Sequence, residues 1–129
     1  MKNMNNNSLP ESEESLKNII ADTLQLAKQN GATQAEAGLT VSEGMSVSAR
    51  MRSVETVEYQ KDNGLGISVY FGKHKGTAST SSLDLESIRK TVEAACNIAK
   101  YTSEDPCTGL ADAELMATEF TDLDMYHEW

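Results

Sequence analysis

Between residues 65 and 71 the chain alternates strictly. Leu65, Ile67, Val69 and Phe71 are interleaved with Gly66, Ser68 and Tyr70, the period-2 pattern of a strand with one face buried. Upstream, Val54-Glu55-Thr56-Val57-Glu58-Tyr59 is a second run rich in β-branched and aromatic residues. Between the two lies Asp62-Asn63-Gly64, whose Asn-Gly step tolerates the positive φ that tight hairpin turns demand. The pattern predicts a hairpin turning at residues 62–64, around which the other elements must pack.

Those other elements are legible from the same rules. Ser12 is a fair N-cap, Glu13 and Glu14 favour the positive end of a helix, and Gly31 supplies its C-terminal stop. On a helical wheel Leu16, Ile19, Ile20, Leu24, Leu26 and Ala27 share about 160° of arc, a stripe suited to packing on a sheet. Ala37, Leu39 and Val41 then alternate with polar residues as a first strand, and Glu43-Gly44 reads as a turn. Met45, Val47, Ala49 and Met51 make a second strand that breaks at Arg52-Ser53. After the hairpin, residues 72–76 read as a turn, and residues 77–81, Thr-Ala-Ser-Thr-Ser, as a short polar edge strand. A second helix starts near Asp84, with Ser82 or Asp84 as cap. Its residues Leu85, Ile88, Val92, Ala95, Cys96 and Ala99 fall within about 100° of arc.

The resulting order is α-β-β-β-β-(β)-α. It predicts a two-layer α+β domain of four to five mostly antiparallel strands, with both helices on the single apolar face. The opposite face is expected to carry Glu36, Thr40, Ser46, Ser48, Arg50, Thr56, Glu58, Ser68 and Tyr70. That face is polar but low in charge, suited to solvent or to lining a cavity closed by another domain. Residues 1–11, with Asn at 3, 5, 6 and 7, are expected to form a disordered leader, residues 12–109 the domain, and residues 110–129 an acidic tail.

Charge and composition narrow the function classes. The chain has 129 residues, one domain's worth, and a net charge of −9. Residues 1–100 hold 12 acids against 11 Lys and Arg; residues 101–129 hold eight acids and no Lys or Arg. A nearly neutral body with an acidic tail argues against binding a phosphate backbone. Arg50, Arg52, Lys73, His74 and Lys75 are read as solvated charges in or beside turns. No run approaches the roughly 18 apolar residues of a membrane span. No secretory signal is legible at the N-terminus, so the cytoplasm is the expected location.

Chemistry is harder to find. Catalytic zinc needs about three protein ligands and an open position, whereas the chain has two histidines, His74 and His127, and no His-x-x-x-His pair. Cys96 sits on the apolar helix face as a small filler. Cys107 follows Pro106 in a turn with no thiol-protease signature around it. Gly64-Leu65-Gly66 lacks the third glycine and the following helix of a phosphate loop. No catalytic, cofactor-binding or metal-binding residue is therefore expected.

The segment from Tyr101 to Asp112, Tyr-Thr-Ser-Glu-Asp-Pro-Cys-Thr-Gly-Leu-Ala-Asp, resembles the N-terminal domain of the PmbA/TldD family, and within it the PmbA branch. Gly64 to Tyr70 and Lys75 to Ser79 resemble it too, as does Gly31-Ala32 followed by a strand, so matching blocks run from roughly residue 16 to residue 126. The resemblance implies a chain that continues into a C-terminal region absent here, toward which Leu115, Met116, Phe120, Leu123, Met125, Tyr126 and Trp129 of the tail could pack. It also implies the non-zinc partner of a TldD-type zinc protease, acting on unfolded peptides in a cytoplasmic heterodimer, with zinc held by the partner and no hydrolysis by this domain alone. The alternative reading is a free-standing α+β interaction module unrelated to proteolysis.

Overall fold

A computed structural model describes residues 13–125. Helix α1 spans Glu13–Gln29, strand β1 Gln34–Arg50, strand β2 Ser53–Phe71, strand β3 His74–Thr80 and helix α2 Leu85–Tyr101. A 3-10 turn at Ala113–Leu115 follows. Among the described residues there is one antiparallel three-stranded sheet in the order β1-β2-β3. The leader, Ser12, Tyr126, His127 and Trp129 lie outside the described residues.

Three strands replace the predicted four or five because two expected turns do not exist. Gly44 pairs with Gln60 inside the β1–β2 ladder, and Asn63 and Gly64 pair with Val41 and Thr40. Two predicted strands are therefore one 17-residue β1, and the two arms of the predicted hairpin are one 19-residue β2. The physical cause is phase. Ala35, Ala37, Leu39, Val41, Met45, Val47 and Ala49 are all odd-numbered, and so are Val57, Tyr59, Leu65, Ile67 and Val69. The alternation therefore runs in register through both supposed breaks. The turn that joins β1 to β2 is Met51-Arg52, with φ of 50° and 66°, left-handed conformations that carry no glycine or asparagine signal. A register shift at Ser48/Ala49 marks a bulge just before it.

Both helices cover one face of the sheet, as the apolar patterning predicts. Leu65, Ile67 and Val69 of β2 pack in one cluster with Ala27 of α1 and with Ile88, Val92, Ala95, Cys96 and Ala99 of α2. Leu85, assigned from sequence to the same helix face, is exposed. Thr23 replaces the larger residues as the buried side chain at the centre of α1; its hydroxyl donates to the Ile19 carbonyl at 2.7 Å, which removes the cost of burying it. Leu16, Ile19, Ile20, Leu24 and Leu26 are half-buried. Asp84 caps α2 by accepting from the Ser87 amide at 2.9 Å.

Helix α2 lies directly on β3 at Gly76. A Cβ built there would stand 2.5 Å from the Ala99 nitrogen and closer still to the Ala95 carbonyl, so the absence of a side chain sets how near helix and strand approach. Thr33 fastens the start of β1 to the end of β2. Its amide and hydroxyl both donate to the Tyr70 carbonyl at 2.8 Å, and its hydroxyl accepts from the Gly72 amide at 3.0 Å.

The helices stop short of the turn at Met51-Arg52. From Ser42 to Asp62 every residue is exposed, so the far halves of β1 and β2 project beyond the helical layer as a two-stranded ribbon of about ten residues per strand, roughly 30 Å long.

Candidate functional site

The sheet face opposite the helices is the candidate site. It is built from even-numbered positions of β1 and β2: Glu36, Gly38 and Thr40 stand beside Ser68, Gly66 and Gly64, with Thr77 and Ser79 of β3 completing the rows. Gly38 and Gly66 are directly paired, and a Cβ at Gly38, Gly64 or Gly66 would meet nothing within 4 Å. The middle of the face is thus bare main chain under open space. Ser68 and Thr77 hydroxyls share a hydrogen bond of 3.1 Å at its margin. Two shallow depressions, of about 410 and 330 Å³, lie over this floor.

One end of the face is closed by charged and aromatic side chains. The Tyr70 hydroxyl donates to Glu36 Oε1 at 2.9 Å. Lys75 Nζ lies 3.9 Å from the same oxygen and 5.4 Å from the centre of the Tyr70 ring, within range of a cation–π contact. Tyr70 is 3% exposed although it faces away from the helices, so the cluster is held by a ring fixed in place. Hydroxyls, a carboxylate and an ammonium group around a glycine floor can hold a polar, extended ligand.

The expected polar face is correct in its parity. Glu36, Thr40, Ser68 and Tyr70 lie over the helix-backed half, whereas Ser46, Ser48, Arg50, Thr56 and Glu58 occupy the same face on the projecting ribbon. Ser48 and Thr56 hydroxyls are hydrogen bonded there at 2.6 Å. The sequence reading missed the glycine floor because Gly64 was assigned to a turn. It missed the partnership of Lys75 for a similar reason: Lys75 belongs to β3, not to a loop.

Arg50 and Arg52 are exposed at the β1–β2 turn, as expected, whereas Lys73 and His74 are engaged. Arg50 is 3.6 Å from Glu55. Lys73 Nζ donates to the Thr108 carbonyl at 3.0 Å, and His74 Nδ1 lies 2.8 Å from the Thr102 carbonyl. These last two contacts hold the segment after α2, in which the Asp105 amide donates to the Lys73 carbonyl and the Leu110 amide to Gln34 Oε1. Asp105 Oδ1 accepts from the Cys107 amide at 2.9 Å, folding the Asp105–Pro106–Cys107 turn on itself. The segment from Tyr101 to Asp112 is a clasp that ties the end of α2 to the β2–β3 turn and to the start of β1. Cys107 is exposed on it, and Cys96 is buried, where desolvation raises its thiol above the ordinary value. Among the described residues no three His, Cys, Asp or Glu side chains are grouped to hold a metal ion, and no helix is long and apolar enough to cross a membrane.

Residues 35–99 match the first domain of the PmbA/TldA metallopeptidases. The chain is 50% identical over 115 residues to the metalloprotease PmbA homolog of Haemophilus influenzae, covering 89% of this chain and 25% of that protein. It is 45% identical over 114 residues to metalloprotease PmbA of Escherichia coli O157:H7, covering 87% and 25%. The chain thus spans about a quarter of the length of these relatives. Among solved structures, a proposed modulator of DNA gyrase from Bacteroides thetaiotaomicron superimposes with a TM-score of 0.73 at 21% identity, covering 86% of this chain and 25% of that one. TldE from Thermococcus kodakarensis superimposes with a TM-score of 0.60 at 17% identity, covering 68% and 20%; at these identities the likeness is one of fold. The chain belongs to the PmbA/TldD metallopeptidase family and carries its first domain.

Proposed function

We propose that this domain handles peptides for a zinc protease rather than cutting them: it belongs to the non-zinc, PmbA-type partner of a TldD-type subunit in a cytoplasmic complex that degrades or matures unfolded peptides. The observation that carries this reading is the 45–50% identity, over nearly the whole chain, to proteins named as PmbA metalloproteases. Zinc belongs to the partner in this reading, and the apolar side chains of the tail, Leu115, Phe120 and Leu123 among them, which are exposed here, dock on a C-terminal region.

The geometry supports a peptide-holding role in a specific way. Among the described residues no strand pairs with the outer edge of the 17-residue β1. That edge contains no proline and no lysine to discourage pairing. An extended peptide can add there as a further strand through main-chain hydrogen bonds, which accept many sequences without reading them. The adjoining glycine floor gives such a peptide room to lie close to the sheet.

The test is co-purification of the full-length protein with a TldD-type subunit, followed by peptide cleavage with and without a chelator. Cleavage that needs both chains and the metal is expected; cleavage by either chain alone refutes the division of labour. For the strand-addition step, a peptide N-methylated at alternate residues should lose binding while a scrambled sequence keeps it.

A further inference from the structure

The outer edge of β1 is not bare, because α1 runs above it. Thr23 and Ala27 mark the buried line of the helix. At about 100° per residue, Ile19 and Leu26 fall roughly 40–60° to one side of Thr23, and both pack against the core cluster that β2 and α2 supply. Ile20 and Leu24 fall roughly 60–100° to the other side. They are half-buried and turn away from β2 and α2, so they overhang the side of β1 with which no strand among the described residues pairs. Leu16 continues their row at the same four-residue spacing. The short turn at residues 30–33 sends β1 back beneath the helix. Rises of about 1.5 Å per helix residue and about 3.3 Å per strand residue bring Leu24, Ile20 and Leu16 roughly level with Ala35, Ala37 and Leu39. Those three point to the helix side of β1 and are half-buried. On the reverse side, between Ala35 and Ala37, stands Glu36, the only charged residue of β1 from Gln34 to Ser42. Its side chain is 52% exposed, and Tyr70 and Lys75 both engage its Oε1 from the inner strands, which leaves Oε2 without a described donor.

We propose that this groove between α1 and the outer edge of β1 selects extended peptides in which a lysine or arginine stands between apolar residues. The basic side chain lies opposite Glu36, and the apolar residues before and after it lie opposite Ala35 and Ala37, beneath Leu24 and Ile20. The proposal rests on the strand-addition reading above and adds to it a class of substrate. An apolar flank over an unpaired hydrogen-bonding edge calls for an extended main chain, since a helix laid there would leave the edge unpaired. Side chains of cross-strand neighbours share a face, so the register that sets a basic residue opposite Glu36 turns both of its neighbours toward the helix. Main-chain pairing stays open to any sequence, and the side chains grade it. The tail of this chain is a poor occupant, because residues 101–129 hold eight acids and no Lys or Arg and would bring like charge to Glu36.

The experiment is fluorescence anisotropy on the full-length protein, without a TldD-type subunit, using the labelled probe Thr-Val-Ser-Leu-Lys-Val-Thr-Leu-Ser. The same probe with Glu at its centre should bind about fivefold more weakly. Glu36→Lys should invert that order. Leu24→Gln keeps a good helix former but sets an amide against the apolar side chains of the probe, and should weaken the Lys probe about threefold to tenfold. Neither side chain is fully buried, so melting curves of the two variants should stay close to the parent and separate lost selection from lost folding. Equal binding of the Lys and Glu probes, an order that survives Glu36→Lys, or a Leu24→Gln variant that binds as the parent does, each overturns the selection. A probe N-methylated at alternate residues tells that failure from failure of the underlying reading. If N-methylation abolishes binding, strand addition stands whatever the fate of the selection; if the N-methylated probe binds as tightly as the parent probe, or neither binds up to about 1 mM, a Kd worth about 4 kcal/mol, strand addition and the groove fall together.

Discussion

Substituting Gly76 by alanine tests the closest contact in the fold. The added Cβ would sit 2.5 Å from the Ala99 nitrogen and inside contact distance of the Ala95 carbonyl. Both neighbours are main-chain atoms of α2, so no side-chain rotation relieves the clash, and α2 must lift by about 1 Å to restore ordinary separation. A gap of that size forfeits roughly a quarter to a half of the dispersion between the surfaces it parts. Those surfaces carry Val92, Ala95, Cys96 and Ala99, all at most 2% exposed. The cost falls at the upper end of the overpacking range, about 3 kcal/mol, offset by roughly 0.5–1 kcal/mol from the less flexible unfolded chain. A domain of this size should lose roughly 10–15 °C in Tm. Thermal unfolding followed by circular dichroism reads the change directly. Gly38→Ala and Gly66→Ala, where nothing stands within 4 Å, are the internal controls and should leave Tm unchanged or raise it by a few degrees, as about 0.5–1 kcal/mol of strand-interior gain predicts. A Gly76→Ala melt within 2 °C or so of the parent, a shift worth well under 1 kcal/mol, would refute the claim that helix and strand meet through their backbones.

Three further outcomes are expected. Leu65→Ala opens a void beneath both helices at a residue 1% exposed and should cost about 2–5 kcal/mol by chemical denaturation. Tyr70→Phe removes the donor to Glu36 and should cost about 0.5–1 kcal/mol, because Lys75 and water still serve the carboxylate; no change in the melt would show that the Tyr70–Glu36 bond is immaterial. The Asp84 carboxyl is held well below the usual range by bonds from the Ser82 hydroxyl and from Ser87. Its lowered value means that its contribution is complete above the unfolded value near pH 4 and is lost as pH falls below it. Asp84→Asn should therefore flatten the acid side of a plot of Tm against pH below about pH 4, whereas an unchanged acid slope would remove Asp84 as its source.

The layers and their contents were legible from the residues, because a helix stripe such as Ile88-Val92-Ala95-Ala99 and a strand row such as Leu65-Ile67-Val69 can each be buried in only one way. What was illegible were the turns. Asn63-Gly64 carries the strongest local hairpin signal in the chain, yet tertiary pairing holds both residues in the ladder opposite Val41 and Thr40. Met51-Arg52 makes the real turn, one residue from the break expected at Arg52-Ser53, without the glycine or asparagine that marks a tight hairpin. The unbroken odd-numbered phase across Glu43-Gly44 and Asn63-Gly64 was the available clue, since local turn propensity competes with register over the whole strand and loses. The polar face followed from the same parity. The glycine floor and the Glu36–Tyr70–Lys75 cluster did not, because they depend on which residues are neighbours across strands, which parity along one strand does not fix.

The two long strands pass without interruption from beneath the helices into open water, and this gives one covalent element two stabilities. Amide hydrogens at residues 65–71 can exchange only when the whole domain opens, whereas those between 42 and 62 exchange through fraying from the tip inward. An encounter at the tip can thus straighten, twist or order the outer part at little energetic cost, while the interior stays as it was.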